Sequence, residues 1–164
     1  MQSNFAAEIL ALAKKQGIHT AIETCGYAPW ESFEKLLPHL DLVLYDIKQM
    51  DSALHKEYTG VGNELILDNL RRLHDSGVEV VARTPVIPGY NDQRENFMAI
   101  ADFLTALPHP PRVELLPYNE LADSKYPRLG MIYAPGEIRE ADGTAPDELC
   151  RILTGAGLNA RVMR

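Results

Sequence analysis

The sequence predicts an α/β protein built around a parallel β-sheet, and three features of the chain support this prediction. Short, mostly continuous apolar runs alternate with longer segments in which apolar residues recur at helical spacing. Continuous apolar runs are typical of the strands of parallel sheets. Glycine, proline and capping residues separate these runs from the helical segments. With 164 residues, the chain is predicted to form a single domain, 1–164, with its own core.

The first half of the chain is predicted to contain four helices and two strands. Phe5, Ile9 and Leu12 share one face of the opening amphipathic helix, which ends at Gly17. The fourth helix begins at Asn63, a suitable capping residue. The predicted elements are a helix at 4–16, a strand at 18–24, a helix at 30–37, a strand at 42–47 and helices at 51–58 and 63–76.

The second half continues the alternation with three strands and two helices. Asn91 or Asp92 is predicted to cap the first of these helices, and Pro146 opens the second. The predicted elements are a strand at 78–83, a helix at 92–107, a strand at 112–116, an irregular segment at 120–145, a helix at 146–156 and a strand at 158–163. This order predicts a parallel sheet covered by helices, as in barrel-type α/β enzymes.

Composition excludes several classes of function. The net charge of −7 argues against a nucleic-acid partner, because phosphate binding needs clustered lysines and arginines. No apolar run reaches the length of about 20 residues that crosses a bilayer, and the first residues do not resemble a secretory signal. We therefore expect a cytoplasmic protein with no membrane partner. Cys25 and Cys150 are predicted to be reduced thiols, too few to hold an iron–sulfur cluster.

Polar and charged side chains lie at the ends of four predicted strands. They are Glu23 and Thr24, Asp46 and Lys48, Arg83, and Tyr118 and Asn119. In parallel β/α arrays the carboxyl ends of the strands carry the functional groups. Asp46 and Lys48 are two residues apart, so their side chains point the same way. The sequence therefore predicts a binding site at this edge of the sheet.

The charges of these residues suit a zwitterionic, amino-acid-like ligand. Glu23 and Asp46 on neighbouring strands would need a cation between them, which Lys48, a metal ion or a ligand ammonium group could supply. The guanidinium fork of Arg83 suits a carboxylate. Ordinary ion pairs remain an alternative interpretation of Asp46 with Lys48 and of Arg83.

Other kinds of site find little support in the sequence. The five histidines have no metal-ligand spacing, and we find no P-loop or nucleophile elbow. A β/α-barrel enzyme acting on a phosphorylated metabolite would need a glycine-rich turn before a helix. Residues 59–63 are the only candidate for that turn.

Four segments of the chain resemble the glycyl-radical-enzyme activating enzymes, the family of pyruvate formate-lyase activating enzyme. They are residues 17–26, 46–50, 83–89 and 114–121, within a resemblance that spans roughly 3–133. The resemblance implies a partial (β/α) barrel of the radical SAM type. Members of this family bind a 4Fe–4S cluster through three cysteines and S-adenosylmethionine (SAM) across the strand ends. They cleave SAM to a 5′-deoxyadenosyl radical that abstracts hydrogen from a glycine of a partner enzyme.

The resemblance also implies roles for individual residues. The SAM contacts it implies are Asp46, Lys48, Arg83 and Asn119, the last at a position where several relatives have histidine. Glu23, Thr24 and Asp46 resemble a site for a monovalent cation beside the SAM carboxylate. The protein partner that the resemblance implies is a glycyl radical enzyme, whose identity the sequence does not determine.

In the family, the cysteine motif and a Gly-Gly-Glu-Pro turn that binds the SAM amino group precede the point where this sequence begins. We therefore expect the C-terminal part of the barrel, lacking its first two βα units, to be inactive by itself and to bind SAM weakly. The strand at 18–24 would then be an open edge that favours self-association. Two alternatives remain open: a non-catalytic docking module for a glycyl radical enzyme, and the unrelated barrel enzyme considered above.

Overall fold

The computed structural model describes residues 2–118, 130 and 144–163, which contain five β-strands and six α-helices. The strands are β1 (Ala21–Thr24), β2 (Leu42–Asp46), β3 (Glu79–Val86), β4 (Arg112–Pro117) and β5 (Ala160–Val162). The helices are α1 (Ser3–Lys15), α2 (Trp30–Leu36), α3 (Ser52–Thr59), α4 (Glu64–Asp75), α5 (Arg94–Thr105) and α6 (Pro146–Gly155), with a 3₁₀ turn at Leu37–His39. No helix within these ranges is long and apolar enough to cross a membrane.

The five strands form one parallel sheet in the order β1-β2-β3-β4-β5. Each strand therefore pairs with the next one along the chain, and a helix connects each pair across the sheet. All five strands run in the same direction, so their carboxyl ends lie along one edge. This topology confirms the predicted α/β class and has the strand order of a partial (β/α) barrel.

The two faces of the sheet differ in their burial. One face carries the apolar side chains that pack with the helices into the main core, among them Val43, Tyr45, Ala82, Val113 and Leu115. The other face carries Leu44, Asp46, Arg83 and Glu114, which are only half-buried. Because side chains alternate between faces along a strand, the helices cover one face and leave the charged strand ends on the other.

Strand β3 is longer than the sequence analysis predicted and continues through Pro85 to Val86. The carbonyl of Arg83 accepts a hydrogen bond from the N–H of Ile47, just past the end of β2. Pro85, two residues later, is directed to the same side of β3, where β2 has already ended. Its missing N–H therefore removes no hydrogen bond from the sheet, and the proline is compatible with the strand.

Helix α1 exposes the apolar face that the sequence analysis identified. The side chains of Phe5, Ile9 and Leu12 are 59%, 50% and 62% exposed. The helix contacts the core instead through Ala6, Ala7 and Leu10. It packs on α2 and the 3₁₀ turn. Among the described residues β1 pairs only with β2, so its other edge is open there.

The turn after β1 is tightly packed around Gly26. This residue has a φ of +76°, and a Cβ atom there would lie 1.6 Å from the hydroxyl oxygen of Tyr45. The buried Tyr45 hydroxyl donates to the carbonyl of Ile66 at 2.6 Å. The amide of Asn69 donates to the carbonyls of Gly26 and Ala28, both at 2.8 Å. Only glycine combines this backbone conformation with this close approach.

Candidate functional site

Charged side chains from three neighbouring strands meet at the carboxyl edge of the open face. Glu23, Asp46 and Arg83 lie near the ends of β1, β2 and β3, and Lys48 lies two residues beyond β2. Asp46 and Arg83 are 15% and 16% exposed, whereas Lys48 is 39% and Glu23 60% exposed. The inner pair is thus shielded from water, and the outer pair is open to it.

These four residues form two separate ion pairs. Nη1 of Arg83 lies 2.9 Å from Oε2 of Glu23, although Asp46 is the residue opposite Arg83 in the sheet. The guanidinium therefore reaches across β2. Nζ of Lys48 lies 3.2 Å from Oδ2 of Asp46, so the second pair joins the two residues that the sequence places on one face.

Two polar atoms at the centre of this cluster have no hydrogen-bond partner among the described residues. They are Oδ1 of Asp46 and Nε of Arg83, and both are buried. A buried polar atom without a partner is costly and rare in folded proteins. One atom is an acceptor and the other is a donor, so a ligand that carries both an ammonium and an acceptor group would satisfy the pair.

Two of the predicted site residues stand apart from this cluster or outside the described structure. Thr24 is opposite Tyr45 in the sheet, so its side chain lies on the face opposite Glu23 and Asp46. Its hydroxyl oxygen accepts a hydrogen bond from the N–H of Gly26 at 3.0 Å. Asn119 lies outside the described residues, directly after Tyr118, whose N–H donates to the carbonyl of Val86.

The residues fit an amino-acid-like group but do not fit an iron–sulfur cluster. Oδ1 of Asp46 matches an ammonium group, and Arg83 and Lys48 offer cationic donors to a carboxylate. Cys25 is exposed in the turn after β1, and Cys150 is on α6. Two distant thiols, the only ones in the chain, cannot ligate a 4Fe–4S cluster.

The described residues give no support to a phosphate or metal site elsewhere. The carboxylate of Glu64 accepts a hydrogen bond from the Ser52 hydroxyl at 2.5 Å. It lies against Gly62, where a Cβ atom would be 2.3 Å from Oε2 of Glu64. A carboxylate here opposes phosphate binding at the 59–63 turn. Within the described ranges, no group of three or more histidine, cysteine or acidic residues could hold a metal ion.

Sequence reasoning missed a set of buried carboxamides behind the strand ends. Asn63 is the N-cap of α4, as predicted, but its side chain makes no capping hydrogen bond, and its amide donates instead to the carbonyls of Gln49 and Met50, at 2.9 and 2.8 Å. Asn91 or Asp92 was predicted to cap the next helix, yet α5 begins at Arg94 with Gln93 as its N-cap. Asparagine before a helix is typical of both caps and loop cross-links, so the sequence pattern alone did not separate the two roles.

The chain matches one protein family and is similar in sequence to several curated proteins. The family described as the Radical SAM superfamily matches residues 1–104. An isethionate sulfite-lyase activating enzyme from Desulfovibrio desulfuricans is 44% identical over 140 residues, 84% of this chain and 45% of that protein. A pyruvate formate-lyase-activating enzyme from Clostridium pasteurianum is 39% identical over 142 residues, 87% of this chain and 59% of that protein. The chain thus spans about half the length of the curated relatives it matches.

A solved structure extends the comparison to the fold. A domain of pyruvate-formate lyase-activating enzyme from Bacteroides vulgatus superposes with a TM-score of 0.79 and 31% sequence identity. The match covers 99% of this chain and 91% of that domain. The similarity therefore includes the sheet, the helices and the carboxyl edge that carries the charged cluster.

Proposed function

Because the chain belongs to the radical SAM superfamily and, within it, to the glycyl-radical-enzyme activating enzymes, we propose that its strand ends form the SAM-binding part of such an enzyme. An intact enzyme of this kind would generate a glycyl radical on a partner enzyme. When bound, SAM supplies the radical chemistry, and the residues of this chain bind and orient it. The glycyl radical enzyme is the proposed protein partner.

The observation that carries this proposal is a pair of atoms between β2 and β3 that have no hydrogen-bond partner among the described residues. Oδ1 of Asp46 and Nε of Arg83 are buried, of opposite hydrogen-bonding type and next to each other in the sheet register. The amino-acid part of SAM carries an ammonium and a carboxylate. We assign the ammonium to Asp46 and the carboxylate to Arg83 and Lys48. This assignment satisfies both atoms with a single ligand.

Two further contacts of the proposed site rest on the family resemblance. Asn119, two residues after the end of β4 in the sequence, is proposed as the fourth SAM contact. Glu23 and Asp46 are proposed to hold a monovalent cation beside the SAM carboxylate, to which Thr24 can contribute only its backbone carbonyl because its side chain lies on the opposite face. Arg83 and Lys48 already neutralise the two carboxylates in the structure. Cation binding would therefore require Arg83 to move from Glu23 towards the ligand.

The chain is proposed to be inactive without a cluster supplied from outside it. Activating enzymes need a 4Fe–4S cluster to deliver an electron to SAM, and two distant cysteines do not provide its ligands. The chain by itself is also proposed to bind SAM weakly.

The unpaired edge of β1 is proposed to drive self-association. The strand pairs with β2 on one side, and no strand of the described structure pairs with its other side. The preceding helix α1 exposes the apolar stripe of Phe5, Ile9 and Leu12. Unpaired backbone groups and exposed apolar surface both favour pairing with another chain.

Isothermal titration of SAM into the purified chain tests the proposed site. The variant is Lys48→Ala, and the matched control is Lys35→Ala, which removes an exposed lysine that contacts Asn4 on the helical side of the molecule. We expect weak, saturable binding that the control retains and Lys48→Ala loses. Equal binding by both variants would contradict the assignment. Absence of binding by the unmodified chain would reject the SAM site and direct attention to protein contacts.

A further inference from the structure

Buried carboxamide side chains hold the backbone that follows β2. Four of them, Gln49, Asn63, Asn91 and Asn96, are at most 5% exposed. Three consecutive carbonyl groups, at 48, 49 and 50, each accept a hydrogen bond from an asparagine amide. Buried polar groups of this kind are stabilising only when their hydrogen bonds are made, so the network fixes a defined backbone path.

Asn91 occupies the central position because it joins the segments after β2 and β3. Its Nδ2 donates to the carbonyl of Lys48 at 2.8 Å and to that of Pro85 at 2.6 Å. Its Oδ1 accepts from the N–H of Ile87 at 2.8 Å. The opposite orientation of the amide would place an oxygen against two carbonyls, so the hydrogen-bond partners fix the orientation.

Asn96 in turn holds both Asn91 and the β2 segment. Its Nδ2 donates to the backbone carbonyl of Asn91 at 2.9 Å, and its Oδ1 accepts from the N–H of Met50 at 2.9 Å. Asn91 is therefore constrained at its side chain and at its backbone. Asn91 contacts the carbonyls of Lys48 and Pro85, which lie two residues after Asp46 and Arg83, respectively. A change at Asn91 would therefore be transmitted along the backbone to both charged residues.

We propose that Asn91 is a positioning residue that sets the separation between Asp46-x-Lys48 and Arg83. This inference rests on the proposed function, because it concerns the residues assigned to the amino-acid part of SAM. A hydrogen bond between the N–H of Ile47 and the carbonyl of Arg83 joins the two strands on the sheet side at 2.8 Å. Asn91 supplies the second connection beyond the strand ends. Outer residues that orient binding groups typically change affinity or activity by about tenfold or more.

The chain contains a matched control for this role. Asn69 is also buried, and its amide also donates to two backbone carbonyls, those of Gly26 and Ala28 at 2.8 Å. Asn91→Asp and Asn69→Asp keep the side-chain shape and replace the donors by a carboxylate oxygen. Both variants lose two hydrogen bonds from a buried site, but only Asn91→Asp loses the connection between Lys48 and Pro85. Asn91→Ser and Asn69→Ser form a second pair in case the aspartate variants do not fold.

Two readouts separate positioning from general destabilisation. The first is SAM affinity, measured by titration well below the unfolding temperature of each variant. The second is the ¹⁵N–¹H spectrum, in which the backbone amide of Lys48 and the backbone and Nε–H signals of Arg83 report the geometry directly. We expect SAM affinity to fall about tenfold or more in Asn91→Asp and to stay close to the unmodified value in Asn69→Asp. We expect the Lys48 and Arg83 signals to move only in Asn91→Asp.

Each outcome decides the proposal. Equal SAM affinities in the two variants would overturn it, because loss of two buried hydrogen bonds would then have the same effect at either place. If the unmodified chain binds no SAM, the proposed function fails, and the spectrum alone decides the positioning role. The positioning role is supported if the Lys48 and Arg83 signals move in Asn91→Asp and not in Asn69→Asp. It is overturned if these signals move in neither variant, or move equally in both.

Discussion

Arg83 reaches across strand β2 and pairs with Glu23, with Nη1 and Oε2 2.9 Å apart, instead of pairing with the aspartate opposite it in the sheet. The two residues are on strands separated by two interstrand spacings, roughly 10 Å. This contact leaves Nε of Arg83 and Oδ1 of Asp46 buried with no hydrogen-bond partner in the part of the chain that the structure describes. The site therefore keeps a donor and an acceptor available for the proposed ligand.

Arg83→Lys is expected to weaken SAM binding about tenfold or more, because lysine cannot supply Nε–H together with a terminal N–H. The charge and its attraction to Glu23 remain, so the variant isolates the loss of the planar fork. Arg112→Lys is the matched control, since Arg112 pairs with Glu79 at the amino-terminal end of the sheet. Titration of SAM into both variants checks this prediction, and equal affinities would contradict it.

Gly26→Ala is expected to destabilise the chain by roughly 3 kcal/mol, from backbone strain at a φ of +76° and from a clash with the Tyr45 hydroxyl. Gly77→Ala is the control, because Gly77 has a φ of +80° but nothing within 4 Å of the added Cβ. That variant should lose about 1 kcal/mol. The two free energies of unfolding come from urea titration. A loss at Gly26 no larger than at Gly77 would refute the steric contribution.

Asp41 is expected to make stability depend on acid pH. The Lys14 ammonium and the N–H of Thr20 donate to its carboxylate, and these contacts lower its pKa to about 2. A carboxyl group whose pKa is lower in the folded state contributes stability above its unfolded pKa of about 4, and this contribution disappears as the pH falls towards 2. Asp41→Asn should flatten this part of the stability profile.

Urea unfolding at pH values from about 5 to about 2 measures that effect, because Asp41 changes its protonation state in this range. Asp102→Asn, at an exposed position on α5, controls for the loss of one negative charge. If the two variants have the same acid dependence, the contacts of Asp41 do not account for it.

Ala21→Pro is expected to reduce self-association without disrupting the sheet. The carbonyl of Thr20 accepts from the N–H of Leu42, so Thr20 and Ile22 are directed towards β2 and Ala21 is directed to the open edge. Proline at 21 therefore removes only an unpaired N–H. Sedimentation of the unmodified chain at rising concentration should give a growing dimer or aggregate fraction, and Ala21→Pro should lower it. A clean monomer for the unmodified chain would argue against the open edge as an association site.

The strand order and the charged strand ends were predictable from the sequence because they depend on local patterns. Continuous apolar runs separated by helices predict parallel strands, and parallel strands bring Glu23, Asp46 and Arg83 to one edge. The pairing among these residues was not predictable. Arginine is long enough to reach a carboxylate on a neighbouring strand or on the next one, so the choice depends on how the strands align in three dimensions.

The carboxamide network and the orientation of α1 were also beyond the sequence pattern. Asn63 and Asn91 precede helices, where capping is the commoner role, but both donate to carbonyls in loops distant along the chain. The apolar face of α1 was identified correctly from its helical spacing. Its exposure to solvent depends on what packs around the helix, and periodicity carries no information about that surrounding structure.

The most direct test of the central claim follows the Arg83 Nε–H signal in the ¹⁵N–¹H spectrum while SAM is added to the chain. This atom is a buried donor with no partner among the described residues, so we expect a saturable shift as it meets the ligand carboxylate. The same titration of Asp46→Asn should give a much weaker response, because the ammonium partner is lost. A signal that stays constant while SAM binds would show that SAM occupies another site and would contradict the account.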